Sequence, residues 1–520
     1  MSDLVRYMLV TAVPMVACML AGDVAGQAVT IPIPDAIQSA YAVGTRATSG
    51  RPGPAYWQIR PHYELAGRLD PTTATFEGRG TIRLFNNTFS PLSELVLRLD
   101  QNRFRAERSR DAVTAGMSLR QIALDGIEVP LESPRVVGLT STVVRIELTS
   151  PVAVGDSIRI EVAWDYEIPS GDEHWGLRQG RWGDSVYQMA QWYPRLAMYD
   201  DLDGWDVAEH DPWMEFYNPF GSFQVTLEVP SGWLIGATGV LDNPEEVLAP
   251  WALDRLNASV ASDTVVFVVG PTELGEGTAA PPSGYNEWRF QADSVSDFAW
   301  AASKEYSWAV LGTASVGVKR IPIHAFGTSR HQEALLESMH EVSRAITSLS
   351  SRLTPYPWPQ HTLVDGPEGG MEYPALTMSH GDRQPHETAH QWFPMIVGSD
   401  ETRFNFLDEG FASFMPGVVR NESLARFEDE RAAMVPLLLA NDIRSVRPVM
   451  GYGRGARMLG ALAAEFGDEP LLGALRAYTR DWRFKHPSPW DFMSSMETSL
   501  GADLDAFWLQ WLFSAEAIQR

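Results

Sequence analysis

The chain has 520 residues, 45% hydrophobic and 21% charged, enough for two or three domains with real cores. A formal net charge of −25 argues against nucleic acid as a partner, since gripping phosphates needs clustered Lys and Arg. The single cysteine, Cys18, lies in an N-terminal apolar run, so a processed chain would carry neither a disulfide framework nor a thiol nucleophile.

Residues 1–28 read as an export signal. One positive side chain, Arg6, precedes an apolar run over residues 7–22; Asp23 ends it, and small residues follow up to Ala28. The run is shorter than the roughly 20 residues a spanning helix needs. Val16-Ala17-Cys18 loosely resembles a bacterial lipobox, so two fates are open: cleavage near Gly26 or Ala28, or a lipid anchor on Cys18. Either makes the protein exported, periplasmic or secreted, touching a membrane only through that anchor or an uncleaved signal. Residues 29–54 are rich in Pro, Gly, Ser and Thr without a period and read as a linker.

From 55 to 318 the pattern is short β runs with turn residues between them. Thr81-Ile82-Arg83-Leu84-Phe85, Val143 to Leu148, Ser157 to Val162 and Phe223 to Glu228 alternate, and Thr264 to Val269 is continuously apolar. This predicts an all-β domain of sandwich or saddle type. From 319 to 520 the period changes to 3.6: Leu335, Met339, Val342, Ile346 and Leu349 mark one helix face. A strand is expected at His361 to Asp365. Ser488-Pro489-Trp490-Asp491 reads as a helix start, and Asp503 opens a last helix with an apolar stripe of Leu504, Phe507, Trp508, Trp511 and Leu512. The expected fold is multidomain: an all-β region, then a mixed, mainly helical one.

The chemistry centres on His386-Glu387-Thr388-Ala389-His390, followed after eighteen residues by Glu409. Two His four apart on a helix share a face, so both imidazoles can meet one metal ion. Glu409, on a following helix, can supply a third ligand. Three protein ligands on one zinc ion leave a position open for water, as in a catalytic site. Glu387 points near the metal without displacing an imidazole and can act as general base. HExxH alone recurs by chance, so its flanks decide the matter.

Four motifs in order carry a resemblance: Gly370-Met371-Glu372, the HExxH segment through Gln391-Trp392-Phe393, Asp408-Glu409-Gly410-Phe411-Ala412, and Tyr452-Gly453-Arg454-Gly455. Together they resemble the thermolysin-like zinc aminopeptidases (gluzincins) of the aminopeptidase N family, peptidase family M1, over roughly residues 55–520. Trp192-Tyr193-Pro194-Arg195 and Ala237-Thr238-Gly239 are similar to that family's β-saddle domain. The resemblance implies a thermolysin-like catalytic domain and hydrolysis of the first peptide bond of peptides with a free N-terminus. Glu372 would hold the substrate's α-amino group, so that only the first peptide bond reaches the attacking water. Gly369, Gly370 and Met371 would lie along the bound peptide, and Tyr452 would donate to the oxyanion. Gln188 and Gln191 are the candidates for a second amine contact. The chain departs from the family pattern at Tyr373, Asp408 and Arg454, which leaves the first substrate pocket open. Two other readings stay in view: hydrolysis of another small electrophile on the same site, and a silent peptide-binding protein.

Overall fold

A computed structural model describes residues 30–105, 114–171, 178–210, 216–312, 319–365, 370–379, 383–427, 437–438 and 449–513. The expected signal with Cys18, and Gly369, lie outside the described residues.

The N-terminal region is β-rich. Its largest sheet has eight strands, in the order Val240–Leu241, Tyr285–Val295, Gly221–Pro230, His62–Asp70, Thr75–Phe85, Ser157–Glu167, Ser118–Leu124, Ile127–Glu128. Its strands alternate as the sequence does. Ile158, Ile160, Val162, Trp164 and Tyr166 are buried while their neighbours turn outward, the period of 2 that burying one sheet face demands. Two four-stranded sheets and a two-stranded pair, Tyr199–Asp200 with Gly204–Trp205, complete the region. Trp192 sits in the core against the eight-stranded sheet, its ring 5.4 Å from Phe76 and 6.2 Å from Trp164, with its indole N–H donating to Phe298 O.

A six-stranded sheet underlies the catalytic region, in the order Val266–Val269, Ser307–Gly312, Pro322–Gly327, His361–Val364, Leu376–Met378, Met371–Tyr373. The β run at Thr264 to Val269, expected in the saddle, therefore contributes Val266–Val269 to this sheet, as does Ser307–Gly312 from the same 55–318 stretch. Ser307–Gly312 pairs antiparallel with Pro322–Gly327, so the expected boundary at 318/319 falls between two hydrogen-bonded neighbours. No local signal separates them: which sheet takes an apolar run is decided by long-range pairing. Gln332–Arg352 packs on this sheet against Pro322–Gly327, and Glu409–Val419, Val449–Phe466, Asp468–Asp481, Pro489–Leu500 and Asp505–Leu512 form the rest of the helical part. The start at Ser488 is a full capping box with Asp491. The last helix begins at Asp505, two residues later than expected, with Asp503 accepting the Asp505 N–H at 3.1 Å. Among the described residues, no helix is long and apolar enough to cross a membrane.

The reading of 29–54 as a linker is corrected. Asp35–Val43 is a helix that buries Ile37 and Ala40 and ends on Gly44 at φ 80°, the left-handed C-cap that glycine adopts without strain. The nine residues between Pro34 and Gly44 are fewer than the window of about 11–18 over which a helical period can be read. The segment beyond it is anchored by contacts no window on the sequence can see. Buried Arg46 forms ion pairs with Asp201 of the β region and Asp491 of the capping box. Trp482 and Trp490 donate their indole N–H groups to Gly50 O and Pro32 O at 2.7 and 2.8 Å.

Candidate metallohydrolase site

The HExxH helix is short, Gln384–Ala389, and His390 still holds helical angles (φ −57°, ψ −20°). Pro394 follows within a turn, and a proline restricts the residue before it and supplies no N–H, so the helix stops here. One turn suffices to aim both imidazoles the same way. Their Nε2 atoms lie 3.1 Å apart. Glu409 is the first residue of Glu409–Val419, and its Oε2 lies 3.1 Å from His386 Nε2 and 3.5 Å from His390 Nε2.

Whether these groups suit a cation follows from their partners. His390 Nδ1 lies 2.6 Å from Asp408 Oδ1 and 3.0 Å from Phe393 O, both acceptors, which places the proton on Nδ1 and a lone pair on Nε2. That lone pair faces His386 and a carboxylate oxygen. Two imidazole nitrogens and a carboxylate oxygen lying within 4.8 Å of one another form a zinc-type donor set. The surroundings favour positive charge here: burial alone would lower the His390 pKa, yet Glu372, Asp408 and Glu409 hold it well above the ordinary value. The Asp408–His390 contact is the outer-shell carboxylate that fixes a ligand imidazole's tautomer and orientation. The sequence reading had Asp408 only as a departure from the family; its signal was a carboxylate preceding a ligand at a helix start.

Glu372 lies on the edge strand Met371–Tyr373, its Oε1 3.8 Å from His390 Nδ1. Gln391 fastens that strand to the motif: its Nε2 donates to Tyr373 O at 3.0 Å and its Oε1 accepts from Ala375 N at 2.8 Å. Sequence reasoning treated Gln391 as a helix flank and missed this clamp. Gly370 leaves room for the Glu387 carboxylate: a Cβ there would stand 2.3 Å from Glu387 Oε1, so that group would have to shift. Burial pushes the Glu387 carboxyl up to about 7, with Glu372 and Glu409 adding to the effect against the two imidazoles. Tyr452 comes from Val449–Phe466. Its ring stacks on His386 at 5.8 Å and 15°, and its hydroxyl hydrogen-bonds Glu409. That helix reaches the site because Gly410 and Gly455 let two backbones meet: a Cβ on Gly410 would lie 2.7 Å from the Gly455 Cα.

The structure thus gathers His386, His390, Glu409, Glu387, Glu372 and Tyr452 into one cluster, with His386 and Tyr452 half-buried and the other four buried. Gln188 stands on Val186–Met189, buried, with both amide atoms lacking a hydrogen-bond partner in the protein. Gln191 follows at φ 53°, its carbonyl accepting from Gln101 Nε2 at 3.0 Å. Tyr373, the departure beside Glu372, is buried with its ring 5.5 Å from Phe216.

No protein-family model matches the chain. Among curated proteins, the mitochondrial aminopeptidase 2 of Saccharomyces cerevisiae is 23% identical over 146 residues, 24% of this chain and 15% of that one. The probable aminopeptidase 2 of Sulfurisphaera tokodaii is 26% identical over 147 residues, 24% of this chain and 19% of that one. The matched stretch therefore spans under a fifth of these relatives, at 15% and 19% of their lengths. Among solved structures, an M1 zinc metallopeptidase from Deinococcus radiodurans superposes with a TM-score of 0.62 at 18% identity, covering 90% of this chain and 97% of that one. A mutant of that enzyme bound to a Tyr-Ser-Ala substrate gives 0.61 at 17% identity, covering 89% and 97%. Legionella pneumophila aminopeptidase A, in complex with aspartic acid, gives 0.60 at 15% identity, covering 88% and 49%. The fold is that of the two-domain M1 zinc metallopeptidases. The likeness to the aminopeptidase N family drawn from the four motifs is borne out by relatives that are themselves aminopeptidases.

Proposed function

We propose that this protein is a zinc-dependent aminopeptidase that removes the first residue from peptides with a free N-terminus. The observation that carries the reading is a buried carboxylate, Glu372, held on a clamped edge strand beside the convergent set His386, His390 and Glu409.

The donor set suits a single zinc ion, which when bound would polarise the scissile carbonyl and acidify water at neutral pH. Glu372 pairs with the substrate ammonium, and that fixed distance brings the first peptide bond, not a later one, to Glu387. Gln188 and Gln191 supply a second contact to the same amine. The backbone of Gly370 and Met371 lies along the peptide. Glu387, buried and raised toward neutrality, takes the proton of the attacking water and passes it to the leaving amine. The Tyr452 hydroxyl donates to the developing oxyanion; desolvation holds its pKa well above the ordinary value, so it stays a donor. The apolar run over residues 7–22 supports export, with the final destination periplasmic or extracellular, or at a membrane through a lipid on Cys18.

Hydrolysis of aminoacyl anilides tests the reading. Turnover should vanish with a chelator and return with zinc. Glu387→Gln should lower kcat by about 10²–10⁴-fold while metal stays stoichiometric. A Glu387→Gln enzyme with wild-type kcat would sink the assignment.

A further inference from the structure

A second cavity, about 610 Å³, lies between the eight-stranded sheet and the catalytic region. That volume is in the range of small-molecule sites, and a place between two regions of a chain is a common one. None of the six clustered catalytic-site residues lines it. Its apolar surface comes from Phe223, Trp358 and Phe484, the last two with rings 6.3 Å apart at 60°.

One cation in this wall lacks a counter-ion. Arg483 lines the cavity with its guanidinium 5.0 Å from the Phe484 ring. Among the described residues no carboxylate pairs with it, although the chain carries 66 acids against 41 Lys and Arg. The nearest acid in sequence, Asp481, is already engaged by Arg51 at 3.0 Å and Arg480 at 2.8 Å. Lys485 next to it donates to the carbonyls of Asp481 and Arg483 at 3.2 and 3.5 Å. A half-buried cation without a counter-ion is costly to keep. Desolvation accordingly lowers the Arg483 pKa with no acid opposing it. The exposed Asp293 also lines the cavity, which disfavours an anion of higher charge.

We propose that this cavity is a binding site for a small monocarboxylate with an apolar body. The carboxylate rests on the Arg483 guanidinium; the body packs on Phe223, Trp358 and Phe484. The site has one connection to the catalytic strand. Ala375 lines it, in the left-handed turn (φ 57°) joining Met371–Tyr373 to Leu376–Met378, and Gln391 holds its N–H. An occupant therefore rests against the back of the turn that follows Glu372.

Titration calorimetry on the full zinc-loaded chain at low salt tests this with 3-phenylpropionate as probe and 3-phenyl-1-propanol as its uncharged counterpart. The acid should bind saturably, and the alcohol at least about tenfold more weakly, the range expected for one charge-assisted contact. Arg483→Gln should lose about tenfold in affinity for the acid and none in anilide turnover. Val240→Trp, which places bulk into the lining, should abolish binding, and Glu372→Gln should leave it unchanged. Thermal melting establishes that each variant is folded. Equal binding of acid and alcohol, no saturable binding of the acid, or wild-type affinity in a folded Arg483→Gln would overturn the proposal. So would binding that survives Val240→Trp and disappears in Glu372→Gln, since that places the probe in the catalytic cluster.

Discussion

His390 shows how much of the site one side chain organises. Its Nδ1 is spent on Asp408 and Phe393 O, which leaves Nε2 as a lone pair pointing at His386 and Glu409. Asp408→Asn keeps the shape of this contact and removes its charge. Zinc affinity should fall about 10–100-fold, measured by competition with a chromophoric chelator. Unchanged affinity would show that the carboxylate does not set the ligand's tautomer. The convergence of His386 and His390 was legible in the sequence because a four-residue helical spacing is a geometric rule. The contacts of Asp408 and Gln391 were not, because each is a hydrogen bond across the fold, 18 residues away in both the Asp408–His390 and Gln391–Tyr373 contacts. Glu372 stood out only through its Gly-Met-Glu context, and the structure adds that a Cβ on Gly370 would displace the Glu387 carboxylate.

At the scale of elements, the site is the meeting of one short helix, one edge strand and two crossing helices. Glu409–Val419 and Val449–Phe466 approach closely at Gly410 and Gly455, which brings the Tyr452 hydroxyl to Glu409. Gly455→Leu forces these backbones apart. It should cost about 1–3 kcal/mol in urea unfolding and cut kcat more than KM, since Tyr452 serves the oxyanion. Gly473→Leu is the control: a Cβ there meets nothing within 4 Å, so activity should be retained. Equal kcat in the two variants would contradict the role given to the crossing. Helix existence was readable from periodicity, as at Leu335 to Leu349, and from the Ser488 capping box. Sheet membership was not, because Val266–Val269 and Ser307–Gly312 are buried strands whose partners are chosen by topology.

Across the whole molecule, several imidazoles far from the metal ligands are buried as neutral groups. His361 is fully buried between the Tyr356 hydroxyl and Thr377 Oγ1, at 3.1 Å from each, and burial lowers its pKa from 6.5 to about 3. Above pH 6.5 neither the folded nor the unfolded chain protonates it. Below 6.5 only the unfolded chain takes the proton, so folding loses stability as pH falls toward 3, after which the loss saturates. The margin of wild type over His361→Gln in urea unfolding should therefore shrink by about 1.4 kcal/mol per pH unit below 6.5. A margin constant from pH 7.5 to about 5 would contradict the buried neutral state. Whole-chain organisation was half legible: β-rich then helical came from period alone, while the anchoring of residues 30–54 through Arg46 rests on Asp201 and Asp491, 155 and 445 residues away.

We propose that Glu372 sets the distance from a free amine to the bond that is cut. Mass spectrometry of one peptide presented with a free and with an acetylated N-terminus checks this. Expected are sequential loss of N-terminal residues from the free peptide, no cleavage of the acetylated one, and loss of this discrimination together with most activity in Glu372→Ala. Internal cleavage, or equal processing of both peptides by the wild-type enzyme, would contradict it.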